Sequence, residues 1–197
     1  MVHTGFAFDL CKMMEYNRAI EIESTLHFSL GTLIVNQREQ LVQMARDAGS
    51  THILWLDSDM MFPPDTAQRL LKHNEPIVAG NYSTRVYPHK TVAYTKIHDW
   101  KSYVINDVSM QGELIPVEAI GMGCMLTSID VFDKLEKPYF KTIWNANSGD
   151  HIGEDFNFCQ AAKWVGYRIL IDNDISLKLK HLGTFGFSMG NVKPGEE

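Results

Sequence analysis

The sequence predicts an α/β protein with a doubly wound sheet layered between helices, and three observations carry that expectation. Candidate strands and helices alternate as β–α–β–α–β with short connections between about Ile20 and Tyr82. Ile53 to Leu56 form an unbroken apolar run, the pattern of a strand covered on both faces within a parallel sheet. That run ends at Asp57-Ser58-Asp59, and the carboxyl end of a buried strand is where open α/β sheets bind their ligands. With 197 residues and 45% apolar composition, the chain suits one well-packed domain and is short for two. Residues 1–197 are therefore expected to form a single domain, with Asn191 to Glu197 as a disordered tail.

In chain order, Met1 to Gly5 reads as a loop and Phe6 to Tyr16 as a helix with Phe6, Leu10, Met13 and Met14 inward. Ile20 and Ile22 alternate with Glu21 and Glu23, which predicts a half-buried strand; Ser24 to Leu33 is ambiguous. A helix follows over Asn36 to Ala48, its inner side made by Leu41, Val42, Met44, Ala45 and Ala48, and Gly49 stops it. After the Asp57-Ser58-Asp59 strand, Pro63 and Pro64 end the extended run, and Thr66 to His73 form the next helix. Pro76 to Tyr82 is another apolar strand. The middle of the chain turns β-rich. Thr91 to Ile97 and Tyr103 to Val108 are expected as an antiparallel hairpin turning near His98-Asp99-Trp100, with further strands over Leu114 to Ile120 and Met122 to Thr127. Gly121 and Gly123 permit close approach of backbone or ligand. Ser128 is expected to cap a helix reaching Lys137. Pro138 to Asp150 is expected as a polar loop holding Trp144, and Gly153-Glu154-Asp155 opens a helix through Trp164 that Gly166 closes. Tyr167 to Ile171 then reads as a strand, and Ile175, Leu177 and Leu179 alternate with polar residues as another.

Composition narrows the function classes. A net charge of −6 argues against a broad non-specific nucleic-acid surface. Cys11, Cys124 and Cys159 are odd in number and widely spaced, without metal-type pairing, which points to a reducing compartment. No apolar run approaches membrane-spanning length and no signal peptide opens the sequence, so a cytoplasmic protein is expected.

Asp57 and Asp59 place two carboxylates near one point, where a divalent cation could neutralise them and recruit phosphate oxygens. Alone, the tripeptide reads as simply as a solvated turn with Asp65 capping the next helix. Glu154 and Asp155 stand at a helix start, whose positive end favours ionised carboxylates, and an Asp held there can serve as a general base toward a hydroxyl. Ordinary helix capping accounts for them equally well. His181 shares parity with Ile175, Leu177 and Leu179 and so points inward, either as a metal ligand or as a core residue. Gly186-Phe187-Ser188-Met189-Gly190 matches a nucleophile elbow, but too little chain follows for the required helix, Asp and His. Gly121-Met122-Gly123 lacks the third glycine of a dinucleotide fingerprint.

Taken in sequence, these phrases resemble the GT-A fold glycosyltransferases, and most closely their family-2-like inverting members. The matching stretches are Leu56-Asp57-Ser58-Asp59-Met60, Ile77-Val78-Ala79-Gly80, Ile120 to Leu126, Gly153 to Cys159 and His181-Leu182-Gly183. The resemblance implies a mixed sheet with helices on both faces and a nucleotide-diphosphate sugar, UDP- or GDP-type, as donor. It implies that Asp57, Ser58, Asp59, Arg38, Gly121 and Gly123 bind the donor. Asp57, Asp59 and His181 would hold Mn²⁺ or Mg²⁺, with Asp155 as the base and Glu154 beside it shaping the site of a hydroxyl acceptor. Trp144 is a stacking surface for a sugar or base, or a packed loop residue. One departure is expected: nothing before the Phe6 helix can play the opening strand of such enzymes, so the first strand is missing and the Ile53 to Asp57 strand lacks a ladder partner on one side.

Two rival readings remain. A transferase acting on a hydroxylated base in phage DNA would need a basic groove, for which Arg85, Lys90, Lys96, Lys101 and Lys141 are available, although they read more simply as a solvated face. A non-catalytic sugar-nucleotide-binding module would keep the pocket without turnover.

Overall fold

The computed structural model describes residues 2–96, 103–146, 149–183 and 186–192. The expected hairpin turn at His98-Asp99-Trp100 lies outside them, as do Lys101 and the tail residues 193–197. Six helices are described: α1 (Thr4–Ala19), α2 (Ile34–Asp47), α3 (Thr66–Lys72), α4 (Val131–Lys134), α5 (Glu154–Trp164) and α6 (Asn173–Ser176). The strands are β1 (His52–Leu56), β2 (Met60–Met61), β3 (Ile77–Ala79), β4 (Ala93–Tyr94), β5 (Leu114–Val117), β6 (Ala119–Ile120), β7 (Cys124–Ser128), β8 (Ile143–Asn145), β9 (Asp150–Ile152), β10 (Ile169–Asp172), β11 (Lys180–Leu182) and β12 (Gly186–Phe187).

The central sheet runs β1-β7-β3-β10-β5. It is mixed: β3 and β10 are parallel, while β1 and β3 are each antiparallel to β7, and β5 is antiparallel to β10. Strands β1, β3 and β10 therefore share one direction, and their carboxyl ends open on one side of the sheet. The period of two sorts side chains onto two cores. Trp55, Ile77, Ala79, Met125, Ile169 and Ile171 pack with Val42 of α2, Phe132 of α4 and Phe158 of α5. Leu54, Leu56, Val78, Cys124 and Leu126 pack with Leu10 and Met13 of α1, Leu70 of α3 and Ile175 of α6. Helices cover both faces. This is the layered α/β arrangement the apolar runs predict.

β1 occupies an edge of the sheet, not the inside of a parallel one. Its hydrogen-bonded pairs with β7 fall at alternate residues, as Asp57 N–H donates to Gly123 O at 3.1 Å and Ile129 N–H to Thr51 O at 2.9 Å. By that alternation the N–H and C=O groups of His52, Leu54 and Leu56 point away from β7. Among the described residues no other segment bonds to them. A groove of about 980 Å³ runs along this edge, lined by β1, by residues 22–29 and by Asp57, Asp59 and Asp155.

Several local expectations are corrected, each for a visible reason. Residues 20–23 form no strand: Ile20 N–H bonds Tyr16 O and Asn17 O at the end of α1, and Glu21 turns the chain with φ of 60°. On α2, Met44 and Ala48 are exposed while Arg38 takes an inner position. The helix expected from Ser128 to Lys137 shrinks to α4, because Ser128 still belongs to β7 and donates its N–H to Pro76 O at 2.8 Å. Residues 138–150 are not a plain loop, since β8 and β9 pair as a hairpin through Trp144 and His151. The expected alternation over Ile175 to Leu179 gives way to the short helix α6 and a turn after it. Asp172 accepts the Ile175 N–H on its side chain and starts α6, so Ile175 and Leu179 face the core at a spacing of four. Tyr94 does bridge Tyr103 as a hairpin would, but β4 pairs mainly with β6. Asn191 closes a 3-10 turn begun at Ser188, and Val192 is buried, so these two residues are ordered parts of the fold. That turn also accounts for Ser188, the serine of the elbow-like pentapeptide. No helix among the described residues is long and apolar enough to cross a membrane, and the three cysteines are free.

Candidate functional site

The site is assembled where β1 ends. Asp57 leaves the strand, the chain turns through Ser58 and Asp59, and Met60 N–H returns to Asp57 O at 3.0 Å. Met60 then pairs with His181 in the small β12-β11-β2 sheet, which carries the histidine to the acids across more than a hundred residues. His181 Nε2 lies 3.5 Å from Asp59 Oδ2. Its Nδ1 is 3.0 Å from Ser83 O and so donates to that carbonyl, which turns Nε2 toward Asp59. Inward parity along a longer strand was the wrong reason for this placement, because α6 interrupts that strand. The position itself is as expected.

The opposite wall is α5. Gly153 precedes the helix in extended conformation, and a Cβ there would stand 2.7 Å from Asp155 Oδ1, so glycine leaves room for the carboxylate. Asp155 Oδ1 also accepts the Phe156 N–H at 2.8 Å. Arg38 of α2 connects the two walls. Its Nη1 donates to Glu154 Oε1 at 2.8 Å, its Nη2 lies 3.8 Å from Asp57 Oδ1, and its side chain is 6% exposed. Arg38 thus lies between Glu154 and Asp57, within the lining of the groove. Asp57, Ser58, Asp59, Glu154, Asp155 and Arg38 all line the one groove.

The acids differ electrostatically. Loss of solvation pushes the Asp155 carboxyl up to about 6, reinforced by Glu154 and opposed by Arg38. Asp57 keeps 42% of its side chain open to the groove, yet protein crowds the rest, and that desolvation raises its acid despite Arg38. Burial acts on Asp59 in the same direction, but His181 and then Arg85 outweigh it, so Asp59 stays ionised below the usual carboxylate range.

Gly121 and Gly123 answer to a residue that sequence patterning missed. A Cβ at either would come within 2.6 Å of Tyr82 Oη, and that phenol accepts the Gly123 N–H at 3.0 Å. Tyr82 also sets its ring edge-on to His181, with centroids 5.3 Å apart. In this structure the paired glycines make room for Tyr82, whose signal in the sequence was a bulky aromatic three residues beyond the strand ending at Ala79. Arg85 was missed for another reason. Read as part of a solvated basic face, it donates from Nη1 to Asp59 Oδ2 at 2.8 Å, and only the fold of its loop brings it there. Trp144 is 57% exposed on the β8–β9 hairpin and edge-on to His151, on the segment that leads into Asp155.

Among the described residues no group of three His, Cys, Asp or Glu stands ready as a cage for a cation. Two carboxylates and an imidazole are nevertheless donors that Mn²⁺ or Mg²⁺ could take up. Such ions take one or two carboxylates and fill the remaining positions with water and substrate phosphate oxygens. Asp59, with His181 beside it, would hold the ion, and Asp57 lies two residues away.

No family model matches the chain, and no curated protein matches it. Among solved structures it is similar to the crystal structure of A197 from STIV, at a TM-score of 0.60 and 18% identity over 94% of this chain and 88% of that one. The likeness is one of fold.

Proposed function

We propose that the chain is a metal-dependent GT-A fold glycosyltransferase that moves a sugar from a nucleoside-diphosphate sugar to a hydroxyl acceptor with inversion. The single observation that carries this reading is that Asp57, Asp59 and Asp155 line one groove while His181 stands 3.5 Å from Asp59, so that three separate parts of the chain meet. Mn²⁺ or Mg²⁺ held at Asp59 would neutralise charge on the departing diphosphate. The chain's own residues do the rest. The groove along β1, at about 980 Å³, has the volume to take the nucleoside, and Asp57 in its lining can accept hydrogen bonds from ribose hydroxyls. Asp155 accepts the acceptor's proton as that oxygen attacks the anomeric carbon. The bond from that carbon to the diphosphate oxygen breaks, and its electron pair leaves with the diphosphate. A base with an acid constant near 6 is ionised at neutral pH and still basic enough to take a proton. Trp144, exposed beside α5, offers a face on which an acceptor sugar can stack.

Calorimetric titration with UDP- and GDP-sugars in Mn²⁺, paired with an assay for released nucleoside diphosphate, tests the proposal. Binding with turnover is expected, and Asp59→Ala should lose the Mn²⁺-dependent part of donor binding. Binding without turnover would favour a non-catalytic sugar-nucleotide module. Unchanged Mn²⁺-dependent binding in the Asp59 variant would remove the metal assignment.

A further inference from the structure

Two guanidinium groups flank the acids after β1, and they are held differently. Arg38 is 6% exposed and bound to Glu154, with Met122 Sδ at 3.5 Å and the Phe140 ring centroid at 6.0 Å, so it has nowhere to go. Arg85 is 45% exposed. Its Nη1 donates to Asp59 Oδ2 at 2.8 Å and to Leu182 O at 3.2 Å, and that same Oδ2 is the oxygen facing His181 Nε2. The loop that carries it is closed at its base and held on its return side, where the His89 ring packs on Phe187 with centroids 4.8 Å apart. Ser83 bridges Thr91, Thr84 N–H donates to Lys90 O at 2.7 Å, and Lys90 N–H donates to Thr84 Oγ1 at 3.0 Å. Beyond that base, Val86 and Tyr87 at the tip are exposed. Gly183 clears the path of the arm: a Cβ there would stand 3.2 Å from Arg85 Cδ and 2.8 Å from the Phe187 ring.

We propose that Arg85 is a displaceable counter-ion. In the ligand-free protein it holds Asp59 Oδ2; when a divalent cation and a diphosphate bind, it gives that oxygen to the cation and carries its charge to the diphosphate. The inference rests on the nucleoside-diphosphate reading above and adds a residue which that reading does not contain. A guanidinium and a divalent cation on one carboxylate oxygen repel each other across a few ångströms, so Arg85 holds down the affinity for the cation alone. A diphosphate removes the conflict by offering the planar fork a better acceptor. Cation and diphosphate then bind with positive coupling, and the coupling is the same whichever binds first. The arrangement keeps the acids neutralised without ligand and assembles the cation site only when the donor arrives.

The test measures Mn²⁺ binding from the electron paramagnetic resonance signal of the free ion, with Mn²⁺ alone and with UDP or GDP added. Arg85→Gln should bind Mn²⁺ alone about two- to five-fold tighter than the parent, the range expected for releasing one partly exposed ion pair. It should also gain less from the added nucleoside diphosphate. Arg85→Lys, which keeps the charge and loses the fork, should bind Mn²⁺ alone as weakly as the parent and show reduced enhancement. Equal Mn²⁺ affinity in Arg85→Gln and the parent, or an undiminished enhancement by UDP and GDP, overturns the proposal. Asp59→Asn separates it from the reading beneath it. If Asp59→Asn loses the binding while Arg85→Gln changes nothing, the counter-ion role alone is wrong. If the parent binds no Mn²⁺ with either diphosphate, or Asp59→Asn binds it undiminished, the site reading fails and takes the counter-ion with it.

Discussion

Asp155 shows how one residue can be useful and costly together. Its carboxyl, raised to about 6 by lost solvation and by Glu154, is the basic group that the proposed transfer requires. The rate of transfer per donor encounter should therefore rise with pH through a midpoint near 6, since only the ionised form accepts a proton. Asp155→Asn should lower it by about 10²- to 10⁴-fold and remove that inflection. The same shift makes a second expectation. An acid whose folded value lies above its unfolded value of 3.8 is ionised less readily in the native state, so its charge destabilises the fold. That cost is absent below the unfolded value, grows between 3.8 and about 6, and is complete above it. Asp155→Asn should thus raise stability at pH 7.5 by about 1–3 kcal/mol, with the gain fading toward pH 4. Urea unfolding at both pH values checks this, and a variant less stable than the parent at pH 7.5 would show that Asp155 is instead a structural acid.

At the scale of elements, the meeting of the β3 end with the turn before β7 is the joint on which the site depends. Tyr82 fills the space left by Gly121 and Gly123, accepts the Gly123 N–H, and supports the edge of the His181 ring. Tyr82→Phe leaves that buried N–H unpaired, which costs about 1–3 kcal/mol. It should lower the unfolding midpoint in urea by the corresponding amount. An unchanged midpoint would mean that the phenol is not the partner this joint requires. Elements whose pattern and local signals agree were legible from sequence. β1, α3 and α5 are each bounded by proline, glycine or acids at the expected ends. Where two periods compete, the reading failed. Ile175, Leu177 and Leu179 alternate like a strand, yet Ile175 and Leu179 are also four apart, and the Asp172 cap decided for a helix. The acids and His181 were legible because motifs carry them. Arg85 and Tyr82 were not, since loop geometry and packing across the sheet bring them to the site.

For the molecule as a whole, the open edge of β1 is the feature with most consequence. A strand at the margin exposes backbone groups that an inner strand would pair, and such groups favour a ligand or another extended segment beside them. Here that margin lines a groove of about 980 Å³ that the acids line as well, so the unpaired edge and the candidate site are one space. The register with β7 makes the edge measurable residue by residue. The amides of Ile53, Trp55 and Asp57 lie on the paired side, whereas those of His52, Leu54 and Leu56 point into the groove. Hydrogen exchange followed by NMR should therefore alternate along this short strand, fast at Leu54 and Leu56 and slow at Ile53 and Trp55. Trp55 stays slowest, since its indole Nε1 also bonds Thr127 Oγ1 at 3.2 Å and its ring is wedged against Phe140. Uniform protection from His52 to Leu56 would show that a second chain or segment pairs with β1 in solution. In that case the groove is not free along β1, and the nucleoside must bind away from that edge.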